Sequence, residues 1–237
     1  MENNNTNNTG GQNKIMAAII VAGVLIAGAI LLTGTNPPEK RVANDLGMKD
    51  LDGLTDIRPV VLEEHVFGNP NAEVFIVEYS DTECPFCKMF HNTMHEIVDT
   101  YEGKVAWVYR HYPIPELHEK AFNEAVATEC AWEQGGNETF WKYTDEVYNR
   151  TNSNDTLAPS ELPKIAQEIG LELNKFNDCL TAQKYSEKVQ DDILDGEKVR
   201  INGTPNSFIV KNGVVVDIIQ GAAPIENVKA KIDRVLR

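Results

Sequence analysis

Cys84 and Cys87 stand three positions apart in YSDTECPFCKMFHNTM, Tyr79 to Met94. Two thiols at this spacing can ligate a metal, close a structural disulfide, or pass electrons by dithiol–disulfide exchange. A zinc site needs about four tetrahedral ligands, and His91 and His95 follow the cysteines. If Cys87 to His95 is one helix, eight residues separate them by about 12 Å along its axis, too far for one ion with ligand bonds of about 2 Å. Cys84, Cys87 and His91 with a ligand from elsewhere stay open as a set. A structural disulfide across so short a loop removes little chain entropy and makes a poor staple.

Redox exchange fits the flanks best. A cysteine just ahead of a helix N-terminus meets unpaired backbone N–H groups and the positive end of the helix dipole, which stabilise its thiolate and lower its pKa. Pro85 suits an early helical position because it has no N–H to lose. Cys84 is then expected to be the exposed nucleophile, and Cys87, one turn in, the sheltered resolving thiol. Asp81 and Glu83 oppose that thiolate electrostatically. A second signal lies in INGTPNSF, where Pro205 precedes a strand run. Gly203-Thr204-Pro205 suits a tight turn with a cis bond, a plain loop proline being the alternative.

The elements that must position these residues alternate in type. PVVLEEH (59–65), AEVFIVEYS (72–80) and KVAWVYRHY (104–112) read as strands, the last two rich in β-branched and aromatic residues. Between those two, Phe90, Met94, Ile97, Val98 and Tyr101 recur at spacings of three and four, which predicts a helix over 87–101. From Pro115 to Val199 the chain reads as a series of helices, including 116–134 and 138–150, punctuated by Gly, Asn and Pro. PNSFIVK and VVVDIIQG then flank Asn212-Gly213, a strong hairpin signal, and a helix after Pro224 closes the chain. The expectation is an α/β fold: a mixed central sheet flanked by helices, with an all-helical insertion over about 115–199 of a domain spanning 59–237.

The 237 residues, 42% of them hydrophobic, suffice for a sizeable core. The net charge of −14 argues against nucleic acid, whose phosphates are held by clustered Lys and Arg. A polar tail (1–14) leads into IMAAIIVAGVLIAGAILL (15–32), eighteen residues without a charge. As a helix this run covers roughly 27 Å, enough for a single transmembrane anchor or an uncleaved signal. A Gly-, Asp- and Pro-rich linker (33–58) follows. Lys14 on one side and Lys40 and Arg41 on the other leave the orientation undecided by charge alone.

With CPFC opening a helix after FIVEYSDTE, NGTPNSFIVKNG far downstream and a helical block between them, the sequence resembles the DsbA-like thiol:disulfide oxidoreductases of the thioredoxin superfamily, from about Val60 to the carboxyl terminus. The resemblance implies that Cys84 attacks, Cys87 resolves, and Pro205 is a cis-proline facing them. It makes Glu78 a buried acid assisting proton transfer at the resolving thiol, and it puts Thr204, Pro205, Pro85 and Phe86 against the substrate. Pro-Phe between the cysteines differs from the Pro-His of the best-known members. The remaining Cys130 and Cys179, both in the helical block, then form the one further pairing left, with two buried free thiols as the alternative. A second disulfide of this kind occurs in some DsbA-like proteins and points to an oxidising compartment, placing the catalytic domain on the extracytoplasmic side of the cell membrane.

The implied activity is introduction of disulfides into unfolded or reduced secreted proteins, with a membrane quinone-linked reoxidase of the DsbB or VKOR type as partner and no cofactor or metal. A reductase or isomerase of the same fold is the near alternative. A membrane-tethered chaperone or binding module with a non-catalytic cysteine pair is the alternative from another class.

Overall fold

The computed structural model describes residues 55–61 and 63–237; the expected tail, the apolar run at 15–32 and most of the linker lie outside the described residues. Among the described residues no helix is long and apolar enough to cross a membrane.

Five strands form one sheet: β1 (His65–Gly68), β2 (Val74–Ser80), β3 (Val105–His111), β4 (Asn206–Lys211) and β5 (Val214–Gln220), in the order β1-β3-β2-β4-β5. The β2–β3 pair is parallel and joined by helix α1 (Pro85–Thr100), as a parallel crossover requires. The other three pairs are antiparallel. At the β4–β5 hairpin Asn212 and Gly213 both have positive φ, 53° and 76°, the conformation for which Asn-Gly is suited.

The first strand begins later than expected. Instead of running over 59–65, the ladder starts at His65, because a turn closed by the Glu64 N–H donating to the Val61 carbonyl interrupts the extended chain. Glu64 is thereby turned inward to the buried Arg110, whose guanidinium also pairs with Asp195 at 2.8 Å.

The insertion consists of α2 (Ala121–Arg150), α3 (Glu161–Glu168), α4 (Leu173–Thr181) and α5 (Ser186–Lys198), and α6 (Ile225–Leu236) ends the fold. The two helices expected at 116–134 and 138–150 form a single run with a kink at Gly135–Gly136, where Gly136 has φ 66°. A side chain at Gly136 would be strained in that conformation, so the break follows the glycine pair.

Side chains alternate across the sheet with the period of two that strands impose. Val74 and Ile76 of β2, with Trp107 and Tyr109 of β3, pack on Phe90, Met94 and Ile97 of α1 and on Val228 and Ile232 of α6. Val77, Tyr79, Val108 and Phe208 face the opposite side, against Val199 and Ile201 beyond the end of α5. A third cluster lies within the insertion, where the Cys130–Cys179 disulfide joins α2 to α4 among Val126, Tyr143, Ile165 and Phe176.

Candidate active site

Helix α1 begins one residue after Cys84, which is its N-cap with φ −76° and ψ 122°, and Pro85 occupies the first turn. Two more parts converge on this point: the parallel strand β2, which delivers the loop 81–83, and the segment before β4, where the Thr204–Pro205 peptide is cis. The Cys84 thiol donates to the Thr204 carbonyl oxygen at 3.4 Å. Pro205 is buried, Thr204 half-buried, and Phe86 stands 57% exposed on the first turn of α1. Cys84 is not the exposed residue expected. It is 6% exposed, with its thiol turned onto the Thr204 carbonyl.

The two thiols differ sharply. The hydrogen bond from the Cys87 thiol, acting against partial burial and aided by the backbone N–H groups of the first helical turn and by Thr204, brings the Cys84 thiol down to about 6. Burial, together with the neighbouring Cys84 sulfur, drives the Cys87 thiol well above its ordinary value. The Cys87 sulfur accepts one backbone N–H, from Asp81 at 3.4 Å.

Glu78 lies in the middle of β2, directly opposite Tyr109 of β3 and Ser207 of β4. It is fully buried and neither carboxyl oxygen has a hydrogen-bond partner among the described residues, so it is neither on an edge strand nor facing outward. Burial raises its pKa to about 8 against the opposing polar groups of Ser80 and Trp107, the Cys84 charge adds to the rise, and Glu78 in turn helps to raise Cys87. The Tyr148 hydroxyl, 3.0 Å from Ser80 Oγ and 3.1 Å from the Tyr109 hydroxyl, completes a buried polar chain on the same side of the sheet.

The acids of the loop before Cys84 are engaged elsewhere. Asp81 accepts from His118 Nδ1 and from the Ile114 N–H, both at 2.9 Å. Glu83 accepts from the Thr151 hydroxyl at 2.8 Å and from the Leu157 N–H at 3.2 Å. Thr82 donates to Glu124 at 2.6 Å, and burial together with the charge of Glu83 lifts the Glu124 carboxyl to about 9. Three successive loop residues are thus fastened to the insertion, and this holds Cys84 at the helix end. His118 was not singled out by the sequence. Burial works against its charge, but Asp81 outweighs it and the Cys84 thiolate adds to the upward shift.

His91 and His95 do not reach toward the cysteines' sulfur atoms; both rings turn to Asp145 of α2, at 2.7 and 3.0 Å. Cys130 and Cys179 are bonded to each other, remote in sequence from the CPFC pair.

The chain matches the family described as thioredoxin over residues 61–234. Among solved structures it is similar to Pseudomonas aeruginosa DsbA2, at 26% identity with a TM-score of 0.65, covering 75% of this chain and 97% of that one. The fold also matches the oxidised form of BdbD from Bacillus subtilis, at 19% identity and a TM-score of 0.64, over 76% of this chain and 96% of that one. The thiol-disulfide exchange protein alpha-DsbA2 from Wolbachia pipientis is a further fold match, with a TM-score of 0.64 at 20% identity over 85% of this chain and 100% of that one. Of curated proteins, the Na(+)/H(+) antiporter NhaA 1 of Mycobacterium sp. (strain KMS) is 32% identical over 190 residues, 79% of this chain, but the chain spans only 30% of that antiporter's length.

Proposed function

Since the chain belongs to the thioredoxin family, we propose that it is a thiol:disulfide oxidoreductase of the DsbA-like kind, working through Cys84 and Cys87. The observation that carries this reading is the asymmetry of the two thiols, one brought down to about 6 at a helix N-terminus and the other buried and pushed well up. In the oxidised protein a substrate thiolate attacks Cys84 Sγ. The Cys84–Cys87 bond breaks as the substrate–Cys84 bond forms, and Cys87 leaves with the electron pair. Glu78, with a carboxyl near about 8, is suited to supply the proton that Cys87 takes up. A second substrate thiolate then attacks the substrate's own sulfur and expels Cys84 as a thiolate. The substrate leaves with a disulfide, two electrons poorer, and the protein keeps two reduced cysteines.

A low pKa makes Cys84 a good leaving group and stabilises the reduced protein, which favours the oxidising direction. Thr204, Pro205, Pro85 and Phe86 form the substrate-facing surface in this reading, with extended, reduced segments of secreted proteins held by strand-like backbone contacts. The Cys130–Cys179 disulfide supports an extracytoplasmic site of action, since such bridges persist in oxidising compartments. The apolar run at 15–32 would serve as a single-pass anchor, and a membrane quinone-linked reoxidase of the DsbB or VKOR type would restore the disulfide. Ion transport is no part of the proposal, because the chain spans so small a share of the antiporter it matches.

A reductase is the alternative on the same fold, and the reduction potential of the Cys84–Cys87 pair separates the two. Equilibrated against glutathione buffers, the purified full-length chain is expected to give a value near about −120 mV; one near about −270 mV would make the protein a reductase. Cys84→Ser is expected to abolish disulfide transfer to a reduced substrate. Full activity of that variant in a substrate-maturation assay would instead support the binding-module reading.

A further inference from the structure

His91 and His95 are separated by one helical turn on α1 and therefore lie on the same face. Their Nε2 atoms are 3.2 Å apart, and each also approaches Asp145 Oδ1 of α2, at 2.7 and 3.0 Å. Three potential ligand atoms from two elements thus converge on one small volume. In a tetrahedral site with metal–ligand bonds of about 2.0–2.1 Å, neighbouring ligand atoms stand about 3.3 Å apart. The observed separations need only a slight opening to reach that value.

The rings are held in place by aromatic neighbours. Phe67 packs edge-on against His95 with centroids 4.4 Å apart, and Trp107 lies edge-on to both histidines at 5.1 and 5.5 Å. Such walls fix ring orientation, as a binding site requires. The cluster also opens to solvent: His91 is buried, but the His95 and Asp145 side chains are 26% and 38% exposed, which gives an ion a way in.

A second His–His–carboxylate cluster, His65, His111 and Glu129, provides the contrast. There the Lys188 ammonium already sits 2.9 Å from Glu129 Oε1, and all three of its members are closed off from solvent. That cluster supplies its own cation. No Lys or Arg forms an ion pair with Asp145 among the described residues.

We propose that His91, His95 and Asp145 bind one divalent transition-metal ion of the zinc class, with a fourth position left for water. Two imidazole nitrogens and a carboxylate oxygen suit zinc better than the hard cations, which favour all-oxygen shells. Bound there, the ion cross-links the active-site helix to the insertion one turn beyond Cys87. It takes no part in the thiol exchange.

The test is a calorimetric zinc titration of the full-length chain in its oxidised form, in which the CPFC sulfurs are tied up and cannot act as ligands. The expected result is one zinc per chain, a melting temperature that rises with free zinc, and at least tenfold weaker binding in each of Asp145→Asn and His95→Gln. Both substitutions fall at partly exposed positions and keep side-chain size, and cobalt(II) absorption reports the coordination directly. Absence of stoichiometric uptake by the oxidised chain would overturn the proposal. So would binding confined to the reduced chain, which would assign the metal to the thiols, or binding that neither variant weakens.

Discussion

The Cys84 sulfur meets the carbonyl oxygen of Thr204, 120 positions further along the chain, at 3.4 Å. The Thr204 hydroxyl is buried with no other partner among the described residues, so its proton is free to turn toward a thiolate at Cys84. Thr204→Val keeps the shape of the side chain and removes that donor. The Cys84 pKa is expected to rise above its value of about 6, by less than about 1 pH unit, since one of several stabilising hydrogen bonds is lost. Thiolate absorbance followed against pH reads the change, and an unaltered curve would show that the hydroxyl donates nothing.

A larger effect is expected from the neighbouring thiol, whose hydrogen bond contributes most to the depressed Cys84 pKa. Cys87→Ala removes this donor and should carry the Cys84 titration upward by about 1 to 2 pH units. Cys87→Ser retains an O–H at the same place and should keep the titration close to that of the parent. The pair of variants separates the hydrogen bond from the helix terminus, which both leave intact. Equal titration in the two would give the dominant role to the helix N-terminus.

The strand–loop–helix around CPFC, the return to a strand at β3 and the Asn212-Gly213 hairpin were legible because each is written in local signals: apolar period, a proline at a helix start, a turn dipeptide. The late start of β1 was not, since it depends on Glu64 being drawn in by Arg110, a residue 46 positions away. The surroundings of Cys84 were hidden for the same reason. Asp81 and Glu83 look like charges facing a thiolate until the insertion and the segment leading into it supply His118, Ile114, Thr151 and Leu157 as their partners. His91 and His95 stand at metal-ligand spacing, yet their third member, Asp145, comes from a helix whose packing no local pattern specifies.

The Cys130–Cys179 bridge closes a loop spanning 49 residues between two helices of the insertion. In the chain-entropy picture a closure of that length stabilises the folded state by about 4 kcal/mol. The double substitution Cys130→Ala/Cys179→Ala should therefore lower the unfolding free energy by about that amount and shift the urea midpoint down accordingly. Disulfide exchange at Cys84 is expected to persist while the domain is folded, because the two cysteine pairs serve different parts of the molecule. Urea unfolding followed by circular dichroism measures the loss. A variant as stable as the parent would mean that the unfolded chain gains no freedom from the missing bridge.

Glu78 gives the protein a pH-dependent cost whose sign can be worked out. Its carboxyl titrates at about 8 in the folded chain against 4.5 when free, so between those values the unfolded state releases a proton that the folded state keeps. Stability is then lost as pH rises from 4.5, and the loss levels off above about 8. At pH 7 the cost is about 3 kcal/mol. Glu78→Gln removes the titration while preserving shape, so its advantage over the parent should be near zero at pH 4.5, grow through neutrality and become constant above pH 8. The comparison belongs on the oxidised protein, where burial, the main cause of the shift, persists without a Cys84 thiolate. Meanwhile the variant should release Cys87 more slowly in thiol exchange, since the nearby proton donor is gone. A stability difference that does not change with pH would show that Glu78 is charged in the folded protein, and would remove it from the proton path to Cys87.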